Sequence, residues 1–325
     1  MKYEFSYYTE NDLYKIEKLV LASYKWEYPI WGLSRHEFAK GLNPAFTGHY
    51  HAWEHTVGVY RSGEKIAACV INEGNYDGDA FFLFDSKERG EDKELLHEMV
   101  KFAKTHCSAV GDKRIKRSLR LYVPEWNTNL RDILLNTGFK LCECKDELYI
   151  LDFAKKPFKV ELPEGYTIAD GNTTSDFYLS NTHRFSFGYG GGDHACEYGE
   201  QAFRDLRQMK HYRKELDLCV LDKQKKPVAM AIIWYDEAMP YCELEPLGVV
   251  WWERRKGIAT AILHEAANRV MDMFPGCAGM TGGDQSFYQR IGYEKKDSAD
   301  VFQWEIDVHA SWDTESFMEK YSDKI

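Results

Sequence analysis

Two carboxylates, three cations and a tyrosine stand out in the second half of the chain. Glu243 and Glu245 lie in the run E-L-E-P-L-G-V-V, which reads as a strand. Two residues apart, they point to one face of that strand unless a bulge intervenes. Acids on an otherwise apolar strand are costly unless they are solvated or used. An alkyl amine has a pKa near ~10.4, so freeing its nucleophilic form at neutral pH costs about 4–5 kcal/mol. A carboxylate, acting directly or through water, is a suitable acceptor for that proton. Arg254, Arg255 and Lys256 follow, then Gly257, Ile258 and Ala259, where a helix begins. Unpaired N–H groups and partial positive charge at a helix start bind phosphate, and small residues let it approach the main chain. Further on, T-G-G-D-Q-S-F-Y-Q-R-I-G-Y places Tyr288 on a short helical turn, where it can protonate a leaving group or serve as a core aromatic.

Pro246 interrupts the strand that carries the two acids. Proline cannot donate to a ladder and sits at edges or bulges. A bulge here splays the strand from its neighbour and frees backbone groups for an extended, amide-bearing ligand.

The elements around these residues occur twice. Short strands near Tyr3–Thr9 and Gly165–Asp170 each lead into a helix. Hairpins follow: Thr56–Tyr60 with Ile66–Asn72, and Leu216–Leu221 with Pro227–Tyr235, each across a polar turn. Strands at Asp79–Phe84 and Tyr241–Val249 then run into amphipathic helices. Leu95, Leu96, Met99, Val100 and Ala103 recur at helical spacing in the first, and Ile262, Leu263, Ala266, Ala267 and Val270 in the second. Each half adds a strand (Ser118–Val123, Cys277–Thr281), a short helix ending in T-G-F or I-G-Y, and a last strand (Glu147–Phe153, Val301–Asp307). The seam falls in K-K-P-F-K-V-E-L-P-E-G, Lys155–Gly165. We therefore expect an α/β fold with mixed sheets and two tandem domains, 1–154 and 155–325.

With 44% hydrophobic and 29% charged residues in 325, the composition is that of a folded, soluble chain. A formal charge of −10 argues against nucleic acid, whose phosphates demand basic surface, and suits cationic ligands such as amines. No run approaches the roughly 18 apolar residues of a membrane span. The start M-K-Y-E-F-S-Y-Y lacks the apolar core of a signal peptide, so a cytoplasmic location is expected. The eight cysteines are scattered; Cys142 and Cys144 suit no common zinc spacing, so we expect reduced thiols and no metal.

Together the second-half motifs resemble those of the GNAT superfamily of acyl-CoA-dependent N-acyltransferases, over about Lys159 to Asp307. Arg254-Arg255-Lys256-Gly257-Ile258-Ala259 matches its [Q/R]-x-x-G-x-[G/A] turn, and Tyr288 precedes Gly292-Tyr293 at the family's spacing. The resemblance implies acetyl-CoA as co-substrate. Its pantetheine would lie along the backbone of Leu247, Gly248 and Val249, and its pyrophosphate in the turn from Arg254 to Thr260. It further implies Tyr288 as general acid, and Glu243 falls where some members carry a general-base glutamate. The residues leave open which of Glu243 and Glu245 is the base. Trp251-Trp252-Glu253 departs from the pattern, which there has a proline and polar residues. The segment Phe185–Tyr198 would wall the acceptor site, with Gly190–Gly192 mobile and Asp193 and Glu197 able to meet a cation.

The first half resembles the fold only weakly. Superposing its helix through L-H-E sets Gly90 on Gly257, so its turn is Lys87-Glu88-Arg89-Gly90-Glu91-Asp92. Acids stand where phosphate would bind, which is unfavourable. Matching Gly138 with Gly292 puts Leu134 where Tyr288 stands. The plan is similar to tandem GNAT proteins with the active site in the second half and a degenerate first domain. The expected reaction is transfer of an acetyl or other short acyl group to a primary amine of a small molecule or peptide, by a monomer or homodimer. The rivals are a non-catalytic acyl-CoA-binding sensor and an aminoacyl transferase of the same fold; net negative charge disfavours the second.

Overall fold

Helical periodicity in the sequence becomes buried helix faces in the structure. The computed structural model describes residues 2–26, 29–39, 53–73, 78–110, 116–155, 157–188 and 193–307. In chain order the elements are β1 (Glu4–Tyr7), α1 (Leu13–Ser23), α2 (Leu33–Ala39), α3 (Trp53–Thr56), β2 (Gly58–Ser62), β3 (Lys65–Ile71), β4 (Asp79–Phe84), α4 (Lys87–Gly90), α5 (Lys93–His106), β5 (Ala109–Val110), β6 (Lys116–Pro124), α6 (Thr128–Asn136) and β7 (Lys140–Asp152). There follow β8 (Thr167–Asp170), α7 (Asp176–Phe187), α8 (Asp193–Leu206), β9 (Asp217–Leu221), β10 (Pro227–Trp234), β11 (Glu243–Val249), α9 (Ile258–Met273), β12 (Gly279–Gly282), α10 (Ser286–Arg290) and β13 (Tyr293–Asp307). The five apolar positions read in α5 and the five in α9 are all buried. Among the described residues no helix is long and apolar enough to cross a membrane. Of the described cysteines, Cys69, Cys107, Cys219, Cys242 and Cys277 are buried free thiols.

The chain divides into two compact units. One comprises Met1–Trp31, Thr47–Asp146 and Ser298–Ile325; the other comprises Gly32–Phe46 and Glu147–Asp297. In the first, β1, β2, β3 and β4 form an antiparallel run, and β4 joins β6 in parallel at Asp79↔Arg120 and Ala80↔Leu121. Residues Ala299–Asp307 of β13 then pair antiparallel with Lys116–Pro124. In the second, β8, β9, β10 and β11 form an antiparallel sheet. The end of β7 there pairs with β12, Tyr149↔Gly282 through Asp152↔Gly279. Part of the last strand of each sequence half thus lies in the unit built mainly from the other half. The seam expected at Lys155–Gly165 does not bound the folded units, each of which draws segments from both sides of it.

Helix α7 covers the sheet that carries the candidate site. Ser175 starts it by accepting from the Tyr178 N–H at 3.3 Å, and Gly188 ends it at φ +71°. His183 of α7 packs against Phe187 (4.7 Å between ring centroids) and Phe203 (5.4 Å). Burial pushes its pKa down to about 4. The unfolded chain takes a proton near pH ~6.5, the folded one only near 4, so the unfolded state binds more protons between them. The stability tied to His183 is complete above pH ~6.5 and is lost as pH falls through about 4, up to about 3 kcal/mol. Urea unfolding at pH 7 and pH 4 should show a smaller loss in His183→Leu than in the parent; equal losses would contradict the assignment.

Candidate active site

The strand with the two acids carries the bulge that Pro246 foretells. β11 pairs with β10 as Glu243↔Trp234 and Leu244↔Ile233, then as Leu247↔Ala231, Gly248↔Met230 and Val249↔Ala229. One extra residue therefore sits on β11 at Glu245–Pro246, whose peptide bond is cis. The indole N–H of Trp234 donates to the Glu245 carbonyl at 2.7 Å. The bulge separates the two acids: Glu243 is buried and Glu245 is exposed. Along its other edge the strand meets β12 only at its beginning. Cys242 N–H donates to Gly279 O and Thr281 N–H to Cys242 O, both at 2.9 Å, and Leu244 N–H reaches Thr281 Oγ1 at 3.2 Å. Among the described residues no main-chain ladder joins β11 to β12 beyond that point. The two strands part there, which opens the outer edge of Glu245–Val249.

The basic turn is built by its backbone more than by its charges. Arg255 adopts φ +65° and Gly257 φ +79°, and α9 begins at Ile258 with no side-chain cap. A Cβ built on Gly257 meets nothing within 4 Å, so the helix start is open. Two of the three expected phosphate cations are otherwise engaged. Arg254 donates through Nε to Val249 O at 3.1 Å and through its guanidinium to Ser186 O at 2.5 Å, tying β11 to α7. Lys256 Nζ pairs with Glu253 Oε2 at 2.9 Å, and Tyr166 donates to the same oxygen at 2.7 Å. Arg255 is exposed. Gly248, on β11, lies under Ser186 and Phe187 of α7; a Cβ there would fall 2.6 Å from Ser186 Cβ. The contacts of Ser186 with Arg254 and of Tyr166 with Glu253 have no local sequence signal, because each joins residues distant in the chain.

Tyr288 occupies α10, past the end of β12. Its ring meets Tyr293 edge-on at 5.1 Å and Phe287 at the same distance. Gly282 makes room for it: a Cβ there would lie 2.7 Å from Tyr288 Cδ1 and 2.5 Å from Tyr293 Cε1. Tyr288 is half-buried, unlike an ordinary core ring. Burial, and after it the charge of Glu245, push its pKa up to about 12. The phenol therefore stays protonated at neutral pH, as a donor must. Glu243 faces another element. Its Oε2 accepts the Ser34 N–H of α2 at 2.8 Å, and a Cβ on Gly32 would sit within 2.8 Å of either carboxylate oxygen.

The corresponding features of the first unit differ at every point. Asp92 caps α5, accepting from Leu95 N–H at 3.4 Å through one oxygen. Its other oxygen takes Lys2 Nζ at 2.7 Å and Tyr3 OH at 2.8 Å. A carboxylate of the chain itself already fills the helix start. A Cβ on Gly90 would strike Trp126 at 2.5 Å, whereas Gly257 faces open space. Leu134, in the place of Tyr288, is fully buried. Residues Gly190–Gly192 and the side chains of Asp193 and Glu197 lie outside the described residues.

This mixed α/β chain, with a strand that bulges and diverges from its neighbour before a glycine-started helix, has the fold of tandem GNAT proteins. Solved structures agree. The chain superposes on a tandem GNAT protein from the clavulanic acid biosynthesis pathway with a TM-score of 0.61 at 12% identity, covering 94% of this chain and 98% of that one. A GCN5-related N-acetyltransferase from Sphaerobacter thermophilus gives 0.57 at 14% identity, covering 94% and 96%. A glucosamine N-acetyltransferase region of a fungal multi-domain β-N-acetylglucosaminidase gives 0.52 at 14% identity, covering 93% of this chain and 38% of that one. No protein-family model matches the sequence, and no curated protein matches it. The likeness is one of fold.

Proposed function

We propose that the second unit is an N-acyltransferase that moves an acetyl or other short acyl group from coenzyme A to a primary amine. The observation that carries this reading is the parting of β11 from β12 at the Glu245–Pro246 bulge, beside an uncapped helix start at Gly257. The residues present fit coenzyme A. The open edge of Leu247, Gly248 and Val249 offers main-chain partners for pantetheine amides. The N–H groups of Ile258, Ala259 and Thr260, with Gly257 and the exposed Arg255, suit the pyrophosphate. Arg254 and Lys256 act there as struts of the turn through their own contacts.

The acyl-CoA donor would supply the activated thioester; the chain supplies proton handling and orientation. In this reading Glu245, exposed at the bulge, accepts the proton of the attacking ammonium, directly or through water. The C–N bond forms, the carbonyl oxygen gains charge, and main-chain N–H groups near Val249 stabilise it. As the C–S bond breaks, Tyr288 gives its proton to the thiolate. Its raised pKa keeps that proton in place until then. The second proton on the new amide nitrogen leaves through water, from which Tyr288 regains its own. The acceptor is an amine of a small molecule or peptide, which the negative net charge favours. The first unit is non-catalytic, since Asp92 and Trp126 occupy its counterpart of the cradle.

Titration calorimetry with acetyl-CoA, followed by thiol release across an amine library, tests the reading. One molecule should bind per chain, and Gly257→Asp should weaken binding about 10-fold or more by placing a carboxylate at the anion site. Binding without turnover on any amine would favour a sensor; no binding at all would remove the acyl-CoA reading.

A further inference from the structure

The buried pair Glu37–His211 lies outside the donor site, and no step above uses it. Glu37 is on α2, a seven-residue helix from the first part of the sequence that belongs to the second unit. Its carboxylate meets His211 Nδ1 at 2.5 Å, with Glu37 0% and His211 4% exposed. The other ring nitrogen of His211 faces Asp236 Oδ2, just after β10, at 3.3 Å. Burial this deep is costly for polar groups, and the Glu37 carboxylate partners one of the two ring nitrogens, with the Asp236 carboxylate near the other.

The same short helix reaches both acids of β11. One turn before Glu37, the Ser34 N–H donates to Glu243 at 2.8 Å. One residue after it, Phe38 packs edge-on against Trp234 at 5.8 Å. Trp234 in turn holds the Glu245 carbonyl at 2.7 Å, inside the bulge. α2 thus grips the bulged strand from the Glu243 side and, through one indole, from the Glu245 side. Seven residues are too few to hold a helix by its own hydrogen bonds. Its position must come from tertiary anchors, and the Glu37–His211 contact is the most deeply buried polar one described.

We infer that Glu37 and His211 are positioning residues for acyl transfer: they fix α2, and α2 fixes the Glu245 bulge at which the amine is deprotonated. This rests on the acyltransferase reading of β11. The pair touches neither donor nor acceptor in this account, so it should govern turnover and leave donor affinity alone.

The test uses the full chain with Glu37→Gln, His211→Asn, the double variant and Phe38→Leu. Glu37→Gln keeps the side-chain size. Phe38→Leu loosens the other arm and leaves the buried polar pair intact. Each is assayed well below its own melting temperature for acetyl-CoA affinity, kcat, acceptor KM and amide exchange across Leu33–Ala39. Each single variant should lower kcat by about 10-fold or more, with the acetyl-CoA Kd within about 2-fold and α2 exchanging faster. The double variant should be no worse than the poorer of Glu37→Gln and His211→Asn, because the two act as one unit. Folded variants with unchanged kcat, α2 exchange equal to the parent, or a Kd that rises in step with the loss of kcat would each overturn the proposal. If Glu37→Gln or His211→Asn fails to fold, Phe38→Leu decides by the same readouts. Should the parent bind no acetyl-CoA, the acyltransferase reading falls, and α2 exchange still decides whether the pair anchors α2.

Discussion

Tyr288→Phe is expected to lower kcat by roughly 10²–10⁴ while leaving the acetyl-CoA Kd within about 2-fold. The change deletes one oxygen. It keeps the edge-on contact with Tyr293 and the fit over Gly282, so fold and donor groove are preserved. On the proposed mechanism, what is lost is the proton for the departing thiolate. Because the phenol pKa is pushed up to about 12, the parent should show no loss of rate from tyrosine ionisation below pH ~11. The defect should shrink for donors whose leaving thiol is more acidic, since their thiolate needs less help. Stopped-flow thiol release on a competent amine measures both. Parent-like turnover in the variant would take Tyr288 out of the chemistry.

The second large effect separates the two acids. Glu245→Gln should cost about 10²–10³ in kcat/KM at pH 7, where the acceptor arrives protonated. The cost should fall steadily as pH rises toward ~10.4, where the amine supplies its own free base. Glu243→Gln should behave differently. Glu243 is buried and caps α2 through the Ser34 N–H, so its loss should appear mainly as about 1 kcal/mol of stability, with kcat within about 10-fold. Rate against pH for the two variants, beside their thermal melts, distinguishes the roles. A pH-dependent loss in Glu243→Gln with none in Glu245→Gln would reverse the assignment of the base.

Much of this architecture is legible in the chain because it is written in local signals. Leu95 to Ala103 and Ile262 to Val270 carry helical periodicity, and both faces are buried as that periodicity requires. Pro246 in a strand demands a bulge, and the bulge is there. The turn at Asp222–Lys226 closes as its aspartate suggests, with Asp222 Oδ1 accepting from Gln224 and Lys226 N–H groups. The charges of the basic turn have partners that the sequence does not show. Arginines and a lysine before a glycine suggest a cluster aimed at phosphate, yet Arg254 and Lys256 are taken up by Ser186 O and Glu253. A charged side chain satisfies the nearest partner, and that partner was 68 residues away in the case of Arg254.

The sequence by itself determined the element order, the bulged strand with its two acids and the glycine at which α9 starts. Each follows from the conformational rules of a few adjacent residues. Only the tertiary structure decided which partner each strand takes. β13 pairs with β6 and the end of β7 with β12, because an alternating strand fits either edge equally well until the fold closes. Only the tertiary structure, too, separated Glu243 from Glu245. Their spacing put them on one face, and the extra residue at the bulge, with Ser34 and Trp234 waiting on different elements, buried one acid and left the other in reach of solvent and of Tyr288.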